Sequence, residues 1–263
     1  MLRVPTRATI LNYNHQPSTS MKSSSLILLL IVGLTTVSVN AAPPSGFTPI
    51  FNGKDLGGWW GLKTEDPSKW MALPAAKLKD KREASLLDIE KHWRVENGIL
   101  INDGKGLYLS TVKNFSDFEL LVDYKTVAGA DSGIYLRGIP QIQIWDTTKA
   151  GGKWKLGADK GSGGLWNNGK AGAVGRDPLV HADNPLGEWN TFHVTMKGNL
   201  VTVILNGKLV VDKAPLINYW DRKTPIEKRK PLIKKGPIQL QTHGGEISWR
   251  NIYVKELSPP ASN

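Results

Sequence analysis

Side chains able to bind or polarise a ligand are concentrated between Asp131 and Asp146. Because side chains alternate across a strand, this stretch predicts two adjacent strands with one apolar and one polar face. The apolar face is predicted to hold Ser132, Ile134, Leu136, Ile142 and Ile144. The other face is predicted to hold Gly133, Tyr135, Arg137, Gln141, Gln143 and Trp145. An exposed face with amides, a guanidinium and aromatic rings is suited to a polar, hydroxyl-rich ligand.

A second group of polar side chains lies near the end of the chain. Alternation places Gln239, Gln241 and His243 on one strand face. The imidazole of His243 titrates in the range that a general base needs. Structural roles stay open at this point: His243 could be a surface residue, Arg137 a salt-bridge partner and Asp131 a turn cap. The predicted site rests on the convergence of several side chains, namely Tyr135, Arg137, Gln143, Trp145, Gln241 and His243.

The carboxylates needed for ordinary glycoside hydrolysis are absent from this region. Retaining glycosidases use two carboxyl groups flanking one bond, and jelly-roll glucanases place them in a Glu-x-Asp-x-x-Glu strand. The comparable strand here is Gln141-Ile-Gln143-Ile-Trp-Asp146, in which amides replace two of the three acids. Double displacement is therefore not expected. The sequence also contains no phosphate-binding loop, no metal-ligating His pair at helical spacing, no calcium loop and no Gly-x-Ser-x-Gly elbow.

Short strands separated by turn signals predict the scaffold for these residues. Asn97-Gly98 and Asn206-Gly207 each separate two apolar runs, as in tight hairpins. Residues 118–125 alternate as a half-buried strand. This pattern predicts an all-β fold with two sheets packed as a jelly-roll sandwich.

Two stretches break the β pattern. The segment from Pro67 to His92 has helix-forming residues, with apolar spacing at Leu78, Leu86, Leu87 and Ile89, and predicts a small helical insert within residues 62–92. Residues 151–184 are rich in Gly, Asn and Lys, and include Trp166. Long loops are usually functional or disordered, and the tryptophan favours an ordered loop over the site, with Trp166 contacting a ligand.

The amino-terminal region predicts export. Lys22, an apolar run from residue 26 to 34, and the small residues Ala41 and Ala42 are typical of a signal peptide. The apolar run is too short for a stable membrane span. We expect a signal at residues 1–42, with a true start near Met21, one domain at 43–257 and a tail at 258–263. The mature chain is then predicted to be periplasmic or secreted, without stable membrane insertion.

Composition narrows the partners. The chain has 263 residues, a net charge of +11 and no cysteine. Disulfides and thiolate metal sites are therefore excluded. Removing the three cations of the predicted signal leaves +8. Much of this excess lies in two solvated runs, residues 77–82 and 222–235, so we expect no nucleic-acid partner.

A series of motifs spanning nearly all of the mature chain resembles one family. In chain order these are Pro49-Ile-Phe-Asn-Gly-Lys-Asp-Leu-Gly-Gly-Trp59, Trp93-x-Val-Glu-Asn-Gly98, Phe115-Ser-Asp-Phe-Glu119, Asp131-Ser-Gly-Ile-Tyr-Leu-Arg137, Gly187-Glu-Trp-Asn190, Leu205-Asn-Gly207, Gly236-Pro-Ile-Gln-Leu-Gln-Thr-His243 and Trp249-Arg-Asn-Ile252. Together they resemble the 3-keto-disaccharide hydrolase domain family. The resemblance implies a jelly roll of the concanavalin A-like lectin and glucanase type.

The resemblance also implies a reaction on sugars oxidised at C3. A 3-keto group acidifies the hydrogen at C2, so a base can remove it, the C1 substituent can leave, and water can add. On this reading His243 is the base, Arg137 and Gln143 polarise the keto oxygen, and Asp146 or Glu246 is the acid. Asp146 or Glu246 could instead bind a divalent cation, so the cofactor is left open.

The predicted substrate contacts are Tyr135, Gln141, Gln143, Trp145, Trp166 and Gln241. Family members commonly have Glu-x-Gln-Ile-x-Asp where this chain has Gln141 in place of the Glu. Two alternatives to an enzyme are a non-catalytic carbohydrate-binding module and an exported interaction domain. One sandwich can serve all three functions.

Overall fold

The computed structural model describes residues 42–170 and 172–257, so the predicted signal and tail lie outside the described residues apart from Ala42. The strands in chain order are β1 (Thr48–Pro49), β2 (Trp59–Leu62), β3 (Trp93–Glu96), β4 (Ile99–Asn102), β5 (Tyr108–Thr111), β6 (Phe118–Thr126), β7 (Asp131–Leu136), β8 (Ile139–Trp145), β9 (Asn190–Lys197), β10 (Leu200–Leu205), β11 (Lys208–Pro215), β12 (Gln239–Leu240) and β13 (Ile247–Glu256).

These strands form two antiparallel sheets. The larger sheet has the order β11-β10-β9-β6-β13-β4-β3, with β1 paired to β13. The smaller sheet has the order β2-β5-β12-β7-β8. The predicted two-sheet jelly-roll sandwich is therefore confirmed.

Both predicted Asn-Gly hairpins are present. Asn97 and Gly98 join β3 to β4 with φ angles of 51° and 77°, and Asn206 and Gly207 join β10 to β11 with 50° and 76°. Asparagine and glycine tolerate this left-handed region, which a two-residue hairpin turn requires at both positions.

The core lies between the sheets and follows the predicted alternation. On the larger sheet, Phe118, Leu120 and Val122 are at most 1% exposed. On the smaller sheet, Ile134 and Ile142 face each other in register and are fully buried. Full burial of each such side chain contributes about 1.5–3 kcal/mol, so register and burial reinforce one another.

The predicted helical insert contains helix α1 (Pro67–Met71) and helix α2 (Ala75–His92). Asp66 caps α1 by accepting a 3.0 Å hydrogen bond from the Ser68 amide. The expected apolar stripe of α2 is partly wrong: Ile89 is buried, but Leu87 is 81% exposed. The helix instead meets β2 through Ser85, whose hydroxyl accepts a 2.9 Å bond from the Gly61 amide.

Neither helix is long and apolar enough to cross a membrane, and the same holds for every helical segment in residues 42–170 and 172–257. The described part of residues 151–184 folds as an irregular chain with short 3-10 turns along β8. Its Gly163 amide donates to the Gln143 carbonyl at 2.8 Å, and the Gln143 amide donates to the Gly164 carbonyl at 2.9 Å. This segment therefore covers the edge of the smaller sheet.

Candidate functional site

The smaller sheet has a polar face on the side away from the core, which we call the amide face. It is made by Tyr108, Asp131, Tyr135, Gln141, Gln143, Trp145, Gln241 and His243. Strand pairing sets the neighbours: Gly133 of β7 lies opposite Gln143 of β8, and its carbonyl accepts from the Gln241 amide at 2.9 Å. The structure thus brings together most of the residues predicted for the site.

Asp131 is at the centre of a hydrogen-bonded network on the amide face. Its Oδ1 accepts from Nε2 of Gln143 at 2.8 Å, and its Oδ2 is 2.8 Å from Nδ1 of His243. Oδ2 also accepts from the ammonium of Lys153, which comes from the segment after β8. Gln141 extends the network by donating to Oε1 of Gln143.

These contacts change the acidity of both members of the central pair. The hydrogen bond to Asp131 raises the pKa of His243 above its usual 6.5, and this outweighs burial and the charge of Lys153, which act to lower it. Burial alone would raise the pKa of Asp131, but hydrogen bonds from His243 and Lys153 outweigh burial and lower it. Asp131 is therefore a stable carboxylate that accepts hydrogen bonds.

This arrangement assigns the tautomer of neutral His243. An ionised Asp131 can only accept, so Nδ1 must carry the proton and Nε2 must hold the lone pair. The side chain of His243 is 60% exposed, and Nε2 makes no hydrogen bond to any residue in the described ranges. His243 is thus a base that is oriented by a carboxylate and open to a ligand.

Tyrosine hydroxyls close the other end of the amide face. Thr64, just after β2, lies 2.9 Å from the Tyr108 hydroxyl and 3.3 Å from the Tyr135 hydroxyl, measured from Oγ1. Burial raises the pKa of Tyr135, so this phenol stays protonated. The helical insert therefore begins by covering the tyrosine end of the site.

Gly133 lets the glutamines approach β7 closely. A Cβ at this position would lie 2.6 Å from the Ile142 carbonyl oxygen and 3.1 Å from Oε1 of Gln241. That Oε1 atom is buried and has no hydrogen-bond partner among the described residues. An unpaired buried acceptor is costly unless a ligand or water donates to it.

The two tryptophans predicted to bind ligand are packed against protein. Nε1 of Trp145 donates to the Gly161 carbonyl at 3.1 Å, and the ring meets Trp166 edge to face with centroids 6.0 Å apart. Arg176 lies over the Trp166 ring at 5.4 Å. Neither ring is an open sugar-stacking plate in this conformation.

The expectation of an exposed binding face is wrong over most of its area. Tyr135, Gln141, Gln143, Trp145 and Gln241 are each no more than 5% exposed. These long side chains pack against one another, and Thr64 and the segment after β8 cover them. His243, at one end of the face, is 60% exposed, and a quarter of the Lys153 side chain is exposed beside it.

Arg137 does not lie on the amide face, contrary to the alternation. Its φ of 53° places it with Gly138 in the turn between β7 and β8, where the strand period no longer holds. Its guanidinium donates to the carbonyls of Ser116 at 2.6 Å and Gly198 at 2.8 Å, and to Asp117 Oδ1 at 2.6 Å. It ties three loops together.

The two carboxylates predicted as acid or cation ligand are engaged elsewhere. Asp146 is 1% exposed and accepts from the amides of Gly129 and Thr148, both at 2.8 Å. Glu246 pairs with Arg94 of the larger sheet at 3.0 Å. Neither contacts the network around Asp131.

A divalent cation does not fit the residues present. The described residues contain no group of three or more His, Asp or Glu side chains placed to hold a metal ion. The cation that the described residues place beside Asp131 is the ammonium of Lys153.

Sequence reasoning missed the roles of Asp131 and Lys153. Asp131 shares the parity of Gly133 and Tyr135, so alternation could have placed it on the amide face. Lys153 lies 22 residues along the chain from Asp131 in an irregular segment, where no periodic signal exists.

Comparison with known proteins agrees with this architecture. A family model described as a 3-keto-alpha-glucoside-1,2-lyase-like domain matches residues 46–255. A 3-keto-disaccharide hydrolase from Bacteroides thetaiotaomicron is 25% identical over 249 residues, covering 81% of this chain and 79% of the relative.

Solved structures share the fold. A crystal structure of a candidate glycosyl hydrolase from Parabacteroides distasonis superposes with a TM-score of 0.55 at 22% identity, covering 83% of this chain and 99% of that one. Another from the same organism has a TM-score of 0.50 at 24% identity, covering 81% and 84%. The family match includes every residue of the amide face. The chain belongs to the 3-keto-alpha-glucoside-1,2-lyase-like domain family.

Proposed function

We propose that this protein cleaves glycosides whose sugar is oxidised at C3, by removing the proton at C2. The observation that carries the proposal is the His243–Asp131 pair, an oriented and solvent-accessible base on a sheet face rich in amides. The family match and the Bacteroides relative, which is named for 3-keto-disaccharides, support the substrate class. The route requires one base and no carboxylate pair, in agreement with a network that contains Asp131 alone.

The first step transfers the C2 proton to Nε2 of His243. The electrons of the broken C–H bond form the C2–C3 double bond of an enolate, and the negative charge moves to the C3 oxygen. Asp131 stabilises the resulting imidazolium by accepting from Nδ1. A positioned base of this kind contributes typically about 10²–10⁴-fold to rate.

The second step breaks the bond between C1 and the leaving oxygen. The enolate electrons form a C1–C2 double bond and restore the C3 carbonyl, and the leaving oxygen takes the proton held by the imidazolium. Water then adds across C1 and C2, with its hydroxyl on C1 and a proton on C2. The sum is hydrolysis, and His243 returns to its neutral form.

Lys153 is the group we assign to the enolate oxygen. Its ammonium shares Asp131 Oδ2 with His243, and its side chain is partly exposed at the open end of the face. A fixed cation where negative charge develops lowers the barrier because little reorganisation is needed during the reaction. Arg137 is paired with Asp117 and Glu246 with Arg94, so neither is assigned a role in this reaction.

The unpaired Oε1 of Gln241 is suited to accept a hydrogen bond from a sugar hydroxyl. Binding there requires the segment after β8 to make room for the sugar ring, since Gln241 is 5% exposed.

We also propose that the protein is exported, because residues 1–42 resemble a signal peptide. The proposed ligand is a carbohydrate, on the basis of the family match and the Bacteroides relative.

The test compares two histidines that each lie 2.8 Å from a carboxylate. His243→Gln removes the proposed base, while His193→Gln removes a histidine that pairs with Glu119 at 2.8 Å on the larger sheet. The substrate is the 3-keto derivative of p-nitrophenyl glucoside, and released p-nitrophenol is measured. We expect His243→Gln to lose at least about 10²-fold in kcat/KM and His193→Gln to stay within about twofold.

Deuterium at C2 tests the mechanism separately. A primary isotope effect on p-nitrophenol release is expected if the C2–H bond breaks in the slow step. Equal activity of both histidine variants would refute the assignment of the base. Binding of the 3-keto glucoside without any product would instead identify a carbohydrate-binding module.

A further inference from the structure

A surface cavity of about 750 Å³ lies at the far end of the smaller sheet from His243. Arg137 and Asp117 line it, and β7 separates Arg137 from Asp131 by about 20 Å at a rise of roughly 3.3 Å per residue. The cavity is thus independent of the amide face. Its volume is in the range of pockets that bind small organic ligands.

Apolar side chains form a large part of the lining. Leu216, Ile217, Leu232 and Leu257 contribute, and Ile226 stands 61% exposed at the edge. Exposing a branched aliphatic side chain beside an apolar cavity is unfavourable in water. An apolar ligand group would cover this surface.

The side chains that line the cavity carry more positive than negative charge. Lys230 and Lys234 line the cavity, and neither ammonium makes an ion pair or hydrogen bond within the ranges that the structure describes. Arg229 also lines it and donates to the carbonyls of Thr224 and Arg222. The hydrogen bond from Thr224, helped by the charges of Lys230 and Arg229, lowers the pKa of Asp221, which does not line the cavity. The lining carboxylate, Asp117, is already paired with Arg137.

The positive segment is held in place by its own contacts. Asn218 donates to the Lys230 carbonyl at 3.1 Å, and Asp221 accepts from the Lys230 amide at 2.8 Å. Thr224 adds a 2.6 Å bond to Asp221. The basic run at residues 222–235 therefore forms one wall of a cavity. Its sequence predicts only a solvated loop.

We propose that this cavity is a second binding site, for a small carboxylate that carries an aliphatic chain. The chain would cover Ile226 and Leu232, and the carboxylate would lie between Lys230 and Lys234. Charge complementarity selects an anion over a neutral chain of the same length.

The test measures octanoate binding to the full protein by isothermal titration calorimetry, with 1-octanol as the neutral counterpart. Saturable octanoate binding that is tighter than octanol binding and weakens as salt rises is expected. Lys230→Gln/Lys234→Gln should weaken octanoate binding by about three- to tenfold. Ile226→Ser should weaken the binding of both octanoate and 1-octanol.

The matched control is Lys223→Gln/Lys228→Gln, which removes the same charge from the same run at positions that do not line the cavity. It should leave octanoate binding within about twofold. Equal losses in the two double variants, equal affinity for octanoate and octanol, or no saturable binding would each overturn the proposal. His243→Gln should bind octanoate as the parent does, so failure of the proposed reaction leaves this result unaffected.

Discussion

Nδ1 of His243 lies 2.8 Å from Oδ2 of Asp131, although the two residues are 112 positions apart in the chain. Pairing of β12 with β7 brings them together, since Gln239 and Leu240 lie opposite Tyr135 and Ile134. Continuing this register brings His243 to the start of β7. Hydrogen bonds from the Gln241 amide to the Gly133 carbonyl and from the Asp131 amide to the Gly244 carbonyl continue the pairing on both sides of this pair.

Replacing Asp131 by Asn should move the pH dependence of kcat/KM. A general base works when neutral, so activity rises as pH rises through its pKa. The hydrogen bond to Asp131 raises the pKa of His243 above 6.5, and its loss lowers that pKa. The rising limb of the profile should therefore shift to lower pH in Asp131→Asn, with a plateau about 10²–10⁴-fold lower because the tautomer is no longer held. An unmoved limb would contradict this link.

Replacing Lys153 by Met should lower kcat by about 10²-fold, as expected for the loss of one group that stabilises developing charge. The charge of Lys153 lowers the pKa of His243, so the rising limb should shift to higher pH, opposite to the shift in Asp131→Asn. Lys160→Met is the control, because Lys160 pairs with Asp177 in the same segment. Steady-state rates from pH 5 to 9 would measure both effects. A loss in Lys160→Met equal to that in Lys153→Met would indicate a general effect on the loop.

Gly133→Ala should destabilise the fold and disturb the amide face. The added methyl would lie 2.6 Å from the Ile142 carbonyl oxygen on β8, closer than real contacts allow. Overpacking of this kind costs about 1–3 kcal/mol. Urea unfolding measures the cost, and an unchanged free energy of unfolding would show that β7 and β8 are less tightly joined than the register implies.

Arg137→Met should cost about 3–5 kcal/mol of stability, because Arg137 is 3% exposed and its loss removes the cation paired with Asp117 and the donor to two carbonyls. Arg94→Met is the matched control. Arg94 pairs with Glu96 and Glu246, but it is 44% exposed, and exposed ion pairs contribute about 0–1 kcal/mol each. The free energies of unfolding of the two variants, measured in urea, should differ by more than about 2 kcal/mol. Similar losses would contradict a buried structural role for Arg137.

Sequence patterns alone determine much of the scaffold. The period of two in Phe118–Thr126 places Phe118, Leu120 and Val122 in the core, and Asn-Gly pairs specify both hairpins, because these signals are local. The same period correctly places Tyr135, Gln143 and Trp145 on one face. The family motifs likewise require only the order of residues along the chain.

Tertiary structure alone determines which of these polar residues act together. Arg137 leaves the face because a turn reverses the backbone there, and Asp146 turns to the amides of Gly129 and Thr148. Lys153 enters the site from an irregular segment, and Asp131 gains its partners only when distant strands pair. Alternation assigns a side chain to a face of one strand, but hydrogen bonds between elements depend on register and loop path, which no local pattern encodes.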